Sequence, residues 1–505
     1  MIERKWWTLI AVCVATFMLL LDITIVNVAL PSIQDELDAS FSDLQWVVDA
    51  YALTLASLLL VSGSVADVIG RRRVFVTGLV LFSVASLACG LAGTPTVLTV
   101  SRAVQGIGGA MLFATSLALL AAAFQGKERA TAFGIWGATI GGAVAIGPLV
   151  GGALTDSLGW EWIFFVNLPI GIAAAFITLA KVEESKDPSP RRVDWIGATL
   201  FSAGLFMLVL ALIRGNEEGW SSGLIVGLFV ASALAMIVFV LYERRAKAPM
   251  LDLTLFRNPT FAGASVVAFA LSASMFAMFL YIVLYIQNVL GHTPFEAGLR
   301  FLPLSLLSFF VAPVAGRLAA RLPARALLGG GMMLVGVGLL LMNGISDGSD
   351  WTTLLAGFIV AGAGIGCVNP NLAQAAIGVV DPRKSGMASG INNTFRQVGI
   401  ATGIAALGAV FQSHVQDKVA TALAGTPMAD HAKEIAHGIA AGGGRQASGM
   451  LKNVANDAFI SGLNELFLIA AVVAFAGGVL AFVLVRQSDF VGHASQSPES
   501  APAAA

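Results

Sequence analysis

The sequence predicts an all-α integral membrane protein whose fourteen spans form two six-helix halves with two further helices inserted between them. Three observations carry this. Of 505 residues, 57% are hydrophobic and 12% charged, far too little polar surface for a soluble chain of this size. Apolar runs long enough to span, which takes about twenty residues, recur at about 7–30, 46–66, 74–93, 97–123, 131–156, 161–181, 194–213, 221–242, 260–289, 296–319, 325–344, 352–378, 386–411 and 459–485. Finally, Arg71, Arg72, Arg73, Lys127, Arg129, Arg191, Arg192, Arg244, Arg245, Lys247, Arg317, Arg321, Arg325, Arg383 and Lys384 all fall in alternate loops. Those loops are therefore read as cytoplasmic, and an even count puts both termini on the same side.

The most charged and proline-bearing cytoplasmic segments, 181–194 and 243–259, flank the seventh and eighth spans, where connections between domains belong. The expected division is a first half over 1–181, a linker with two extra transmembrane helices over 182–258, and a second half over 259–486. The second half carries a long Ala- and Gly-rich outer loop at about 412–458, and a Ser/Ala/Pro-rich cytoplasmic tail, expected to be disordered, follows over 487–505. Two such halves imply a central cavity, the plan in which substrate sits near the midplane and one half rocks against the other.

Taken in order, the first span follows Arg4 and Lys5 as a signal peptide would, but its apolar run is too long and no small-residue cleavage site follows. It carries Asp22, then Thr24 and Asn27. An ionised acid near the bilayer centre costs about 2.5–3.5 kcal/mol, and such residues face an internal cavity and mark ion or substrate paths. Asp22 is thus read as a proton-binding site, the alternative being an acid permanently paired with a buried cation or satisfied by neighbouring hydroxyls. Asp49 opens the second span beside Trp46 and Tyr51, either as an accessory acid facing an outer vestibule or as an interfacial residue in water. Cys13, Cys89 and Cys367 lie inside apolar runs with no metal or disulfide spacing.

Between spans two and three, Gly63, Asp67, Gly70 and Arg71 lead into a basic run. Glycine permits close helix approach and a tight turn, so this reads as a conformational latch rather than only a topology signal. The matching place in the second half keeps Gly316, Arg317 and Arg321 but has Ala320 where the acid would stand. Span four holds Arg102 and Gln105 in an apolar, glycine-bearing helix. Because Arg cannot readily lose its proton, Arg102 needs an acid, a carbonyl or water, and Asp22 is the natural candidate. Span five carries Gly147, Pro148, Gly151 and Gly152, a packing groove or a hinge or seal between the halves.

These motifs resemble the major facilitator superfamily and, within it, the fourteen-helix drug:proton antiporters of the QacA/EmrB type. The resemblance rests on residues 21–31 in the first helix, 63–73 in the cytoplasmic loop, 98–110 in span four, and 147–152, the signature associated with exporters. Ala143 stands where glycine is usual, and Glu161 stands where Arg is common at the entry to span six, ahead of Asn167. The resemblance implies a proton-coupled exporter of amphipathic drugs or toxic small molecules across the cytoplasmic membrane, with Asp22 taking the proton and Arg102 assisting its release.

Weaker signals lie in the later spans. Tyr281 and Tyr285, with Asn369, Asn393 and Arg396, are candidates for a substrate cavity alongside Asn27 and Gln105, and Arg396 resembles a second-half counterpart of Arg102. Glu465 in span fourteen is a second accessory acid, and His292, His414, His431 and His437 are expected to be solvated in outer loops. No phosphate-binding loop, metal spacing or nucleophile constellation is present. The expected partners are amphipathic substrates and the bilayer, with no nucleic acid, no metal and no cofactor besides coupling protons, and a monomer is expected to suffice. Alternatives are a dedicated exporter of one metabolite or antibiotic, a proton-coupled importer, or a non-transport receptor or scaffold; an enzyme is not expected.

Overall fold

The computed structural model describes residues 3–186, 193–246, 249–319, 321–426, 428–440 and 450–490. The side chains of several residues inside its helices, Asn27 and Pro148 among them, lie outside the described residues. Among the described residues fourteen long helices follow one another: α1 (Arg4–Leu37), α2 (Phe41–Ile69), α3 (Arg71–Gly90), α4 (Pro95–Ala123), α5 (Gly126–Leu158), α6 (Trp162–Lys181) and α7 (Trp195–Glu218). After them come α8 (Gly223–Glu243), α9 (Pro259–Val289), α10 (Pro294–Leu318), α11 (Ala324–Met342), α12 (Leu355–Gly378), α13 (Ser385–Leu423) and α14 (Met450–Leu484). Thirteen are long and apolar enough, among the described residues, to cross a membrane. The fourteenth, α5, is 33 residues long and stands where the fifth expected span falls.

Local chemistry sets the helix starts. Ser40 and Asp43 form a reciprocal capping box before α2, as Thr293 and Glu296 do before α10. Thr94 caps α4 with proline in its first turn. Gly70, at φ 128°, separates α2 from α3 in a conformation that L side chains rarely adopt. Within α9 the chain passes through π-type turns at Ser272–Phe276 and Tyr285–Val289.

The expected long outer loop is largely helical instead. Phe411, Val415, Val419 and Leu423 are buried at four-residue spacing, one continuous apolar stripe that keeps α13 helical well beyond the expected span. That stripe packs with Ala455, Phe459 and Leu463 of α14, and a short helix, Ala432–Ala440, occupies the turn between them.

Helices α1–α6 and α9–α14 form two halves; the second is built around one apolar cluster and the first around two, one of which also takes in Ala373 and Ile377 of α12. The halves meet mainly where α5 runs along α10 and α2 along α13, with α4 against α13 and α5 against α12. The inserted α7 lies on both α2 and α13, and α8 packs on α7. Arg4 pairs with Glu183 at 2.9 Å, Lys5 with Glu128 at 2.9 Å, and Thr260 donates to Asp489 at 2.6 Å. Both described ends of the chain therefore lie at the same end of the bundle as the basic loops.

Candidate functional site

Asp22 is completely buried inside the first half. One carboxylate oxygen, Oδ2, accepts from Arg102 Nη1 at 2.6 Å. The other, Oδ1, accepts from Gln105 Nε2 and from Asn167 Nδ2, both at 2.9 Å. Arg102 also donates to Gln105 Oε1 at 2.7 Å and to the Val47 carbonyl at 3.3 Å, while its guanidinium lies 4.2 Å over the Tyr51 ring. Asn167 reaches Ser86 Oγ at 3.1 Å, and Ser86 donates to the Phe164 carbonyl at 2.9 Å. Helix α1 thus contributes the acid, α4 and α6 its donors, and α2 and α3 the outer partners.

This arrangement suits exchange of a proton. A charged Asp22 is satisfied by one cation and two amides, as a buried carboxylate must be. A protonated Asp22 would give up the ionic partner, and Arg102 keeps Gln105 Oε1, the Val47 carbonyl and the Tyr51 face to rest on. Asn167 Oδ1 and the Tyr51 hydroxyl are buried without a partner, so acceptors for a rearranged network lie close at hand. From the sequence, Asn167 stands only as part of a motif and Ser86 has no role. The signal was available for Asn167, a lone polar side chain within an apolar run, whereas Ser86 shares its run with Thr77 and Ser83.

The loop motif builds a second constellation at the basic end. Asp67 and Arg71 are both buried and pair at 2.8 Å. The Asp67 carboxylate also accepts from the backbone N–H groups of Gly386 at 3.0 Å and Met387 at 2.9 Å, in the first turn of α13. Arg71 reaches the Arg383 carbonyl at 3.2 Å. One acid of the first half therefore caps a helix of the second, a favourable placement for a negative charge. Gly63 and Gly386 face each other so closely that a Cβ on either would collide with the other's carbonyl oxygen.

Between the halves near mid-depth lies a narrow cleft, lined among others by Gly141 of α5, Phe276 and Phe279 of α9, Ser308 of α10, and Ile365 and Asn369 of α12. Behind Asn369, its Oδ1 accepts a hydrogen bond from Arg396 Nη2. Asn393 crosses the interface to donate to the Phe113 carbonyl at 3.2 Å.

The remaining expected site residues are placed elsewhere. Gln105, expected in a substrate cavity, belongs to the Asp22 network. Tyr281 and Tyr285 lie in the apolar core of the second half and donate to the Ile404 and Ser349 carbonyls at 3.1 and 3.5 Å. A Cβ on Gly147 would strike Thr24 and one on Gly151 would meet Ile25, so both glycines bring α5 against α1 within the first half. Gly152 instead faces Phe295 of α10, across the halves. Asp49 is half-buried in the outer part of α2. Glu465 pairs with His414, which also meets Ser461 Oγ at 2.8 Å; that histidine is engaged between α13 and α14 rather than free in a loop. The side chains of Asn27, Pro148 and His437 lie outside the described residues.

A family model described as Major Facilitator Superfamily matches residues 12–404. The chain belongs to the major facilitator superfamily. The match takes in Asp22, Asp67, Arg102 and Arg396. Among similar curated proteins, Multidrug resistance protein Stp of Mycobacterium tuberculosis is 40% identical over 405 residues, covering 80% of this chain and 75% of that protein. The Tetracenomycin C resistance and export protein of Streptomyces glaucescens is 33% identical over 491 residues, covering 95% and 91%. The solved proton:xylose symporter XylE shares the fold at a TM-score of 0.65 with 12% identity, covering 96% of each chain.

Proposed function

We propose that this chain is a proton-coupled exporter of amphipathic, toxic small molecules across the cytoplasmic membrane, working as a single subunit with its basic end and both termini in the cytoplasm. The observation that carries this reading is the Asp22 network, a carboxylate at membrane depth for which Arg102 and a proton compete. Proton arrival releases Arg102, and proton loss restores the pair. Helix α1 touches α5 at Thr24 and Ile25, and α5 runs along α10. Occupancy of Asp22 therefore has a contiguous packed route to the interface of the halves. The Asp67 latch is the two-state element which that route biases. The basic loops support the orientation, and the names of the relatives support outward movement. One charge crossing 100 mV is worth about 2.3 kcal/mol, so one proton holds a neutral solute near fifty-fold depletion at about 1.4 kcal/mol per tenfold.

The test uses sealed vesicles containing the purified full chain, a proton gradient, and neutral, cationic and anionic fluorescent amphiphiles. At least one should be concentrated by the gradient and should drive proton release when added alone. Asp22→Asn should do neither. An Asp22→Asn protein that concentrates the dye as well as the parent overturns the assignment of Asp22.

A further inference from the structure

We propose that the cleft between the halves recognises an anionic group on its cargo through Arg396 and Asn369. The preferred substrate is then a weakly acidic amphiphile, a carboxylate or phenolate on a flat apolar body. The inference rests on reading this cleft as the substrate path.

Arg396 follows Ser385, the first residue of α13, by eleven positions, roughly 16 Å at about 1.5 Å per residue. That depth is near the middle of a hydrocarbon core about 30 Å thick. The side chain is 7% exposed and keeps its proton, so it is a fixed charge where charge must be compensated. Arg102 shows what compensation looks like, with the Asp22 carboxylate at 2.6 Å. Among the described residues Arg396 meets the neutral Asn369 Oδ1, and its Nε has no partner. Among the described residues no carboxylate lies within ion-pair distance of it.

The unmet polar groups on this wall can both donate a hydrogen bond. Asn369, 1% exposed, leaves its Nδ2 unpartnered, and so does Ser308 with its hydroxyl; both residues line the cleft. Beside them stand Phe276 and Phe279, edge to face with centroids 5.5 Å apart. A ligand that fits must place an apolar body on the rings and an acceptor against Asn369 and the guanidinium behind it. A charged acceptor is favoured, because charge-assisted hydrogen bonds are about twice as strong as neutral ones and only an anion completes the missing ion pair. An anionic cargo also suits export against an inward proton. The membrane potential then drives both charges, each worth about fifty-fold per 100 mV.

The test compares three probes with one body, 1-pyrenebutyrate, 1-pyrenebutanol and 1-pyrenebutylammonium, by their stabilisation of the purified full chain against thermal unfolding. Parent, Arg396→Gln and Arg396→Lys proteins share one detergent, so partition into micelles cancels between them. The butyrate should bind the parent most tightly and the ammonium most weakly. Arg396→Gln should weaken the butyrate at least tenfold while leaving the butanol within about twofold, which also shows that the cleft is folded. Arg396→Lys should recover most of the loss. If all three probes bind alike to parent and Arg396→Gln, the cleft binds by apolar surface and the anion inference fails alone. If the butanol and butyrate both fail to bind the parent, the cleft is not the substrate path, and this inference falls with that reading.

Discussion

At the scale of single residues, Asp22 is satisfied by three side chains from α4 and α6, and each separates a different role. Asp22→Asn keeps the volume but turns one acceptor into a donor facing Arg102, leaving a buried donor unmet at about 1–3 kcal/mol. Proton release driven by substrate should vanish while the protein still purifies. Arg102→Gln removes the ionic partner of a buried acid, a change that costs about 3–5 kcal/mol when the charge stays. Transport should fall at least tenfold, and Asp22→Asn added to it should recover part of the lost thermal stability, because no unpaired charge then remains. A double variant less stable than either single one would refute the direct pairing. Asn167→Ala removes one neutral hydrogen bond, about 0.5–1.5 kcal/mol, and should slow proton-coupled exchange several-fold with little change in substrate binding.

At the scale of elements, the latch joins α2 to α13 through one carboxylate and two glycines. Asp67→Asn should loosen the cap on α13 and raise the fraction of molecules open at the basic end, read by spin-label distances between the 71–73 and 383–385 loops. Gly63→Ala should have a similar effect for a steric reason, since its Cβ has no room against Gly386 and overpacking of this kind costs about 1–3 kcal/mol. Both variants giving parent distances would mean that the loop serves topology alone. The linker after α8 adds a second tie: Met250 and Leu251 pack with Leu60, Met387 and Ile391, and Lys384 meets Asp252 at 2.6 Å. Burial works against ionisation of Asp252, but hydrogen bonds from Lys384 and Thr254 outweigh it and hold the carboxyl below its usual range. Its folded-state pKa is depressed, so the tie is complete above the ordinary carboxylate value of about 3.9 and is lost only as pH falls through the lower folded value. Spin-label distances across this tie should not change between pH 5.5 and 8.

At the scale of the whole molecule, the inserted pair is a wedge and not a separate domain. From α7, Leu205 and Val209 pack with Leu53 and Ala56 of α2 and touch Val398 and Ala401 of α13. Asn216 donates to the Ala405 carbonyl at 3.2 Å, and the Arg214 guanidinium lies 4.5 Å over Trp46. Excising α7 and α8 together removes an even number of crossings, so a tag at the end of the chain should stay on the same side. Melting temperature should nevertheless fall, because the packing of α7 on α2 and α13 is lost. A tag that changes sides would show that the pair directs topology.

Hydropathy and basic-loop asymmetry by themselves set the all-helical membrane fold and the expected number of spans, division into halves and orientation, because these depend on local composition along one segment. Asp22, Arg102, Asp67 and Arg71 were legible for a related reason, since each is a charge in a place where charge must have a partner. Which partner it takes is not local. That Asn167 completes the Asp22 site, that Gly147 and Gly151 press α5 on α1 rather than on the other half, and that Asp67 caps α13 some 320 positions away were decided by helix packing alone. The same packing turned Gln412 and the residues after it from an expected loop into the continuation of α13, through an apolar stripe that has meaning only when α14 lies against it. It also left Arg396 without the acid that Arg102 has, a difference between two similar motifs that no single segment contains.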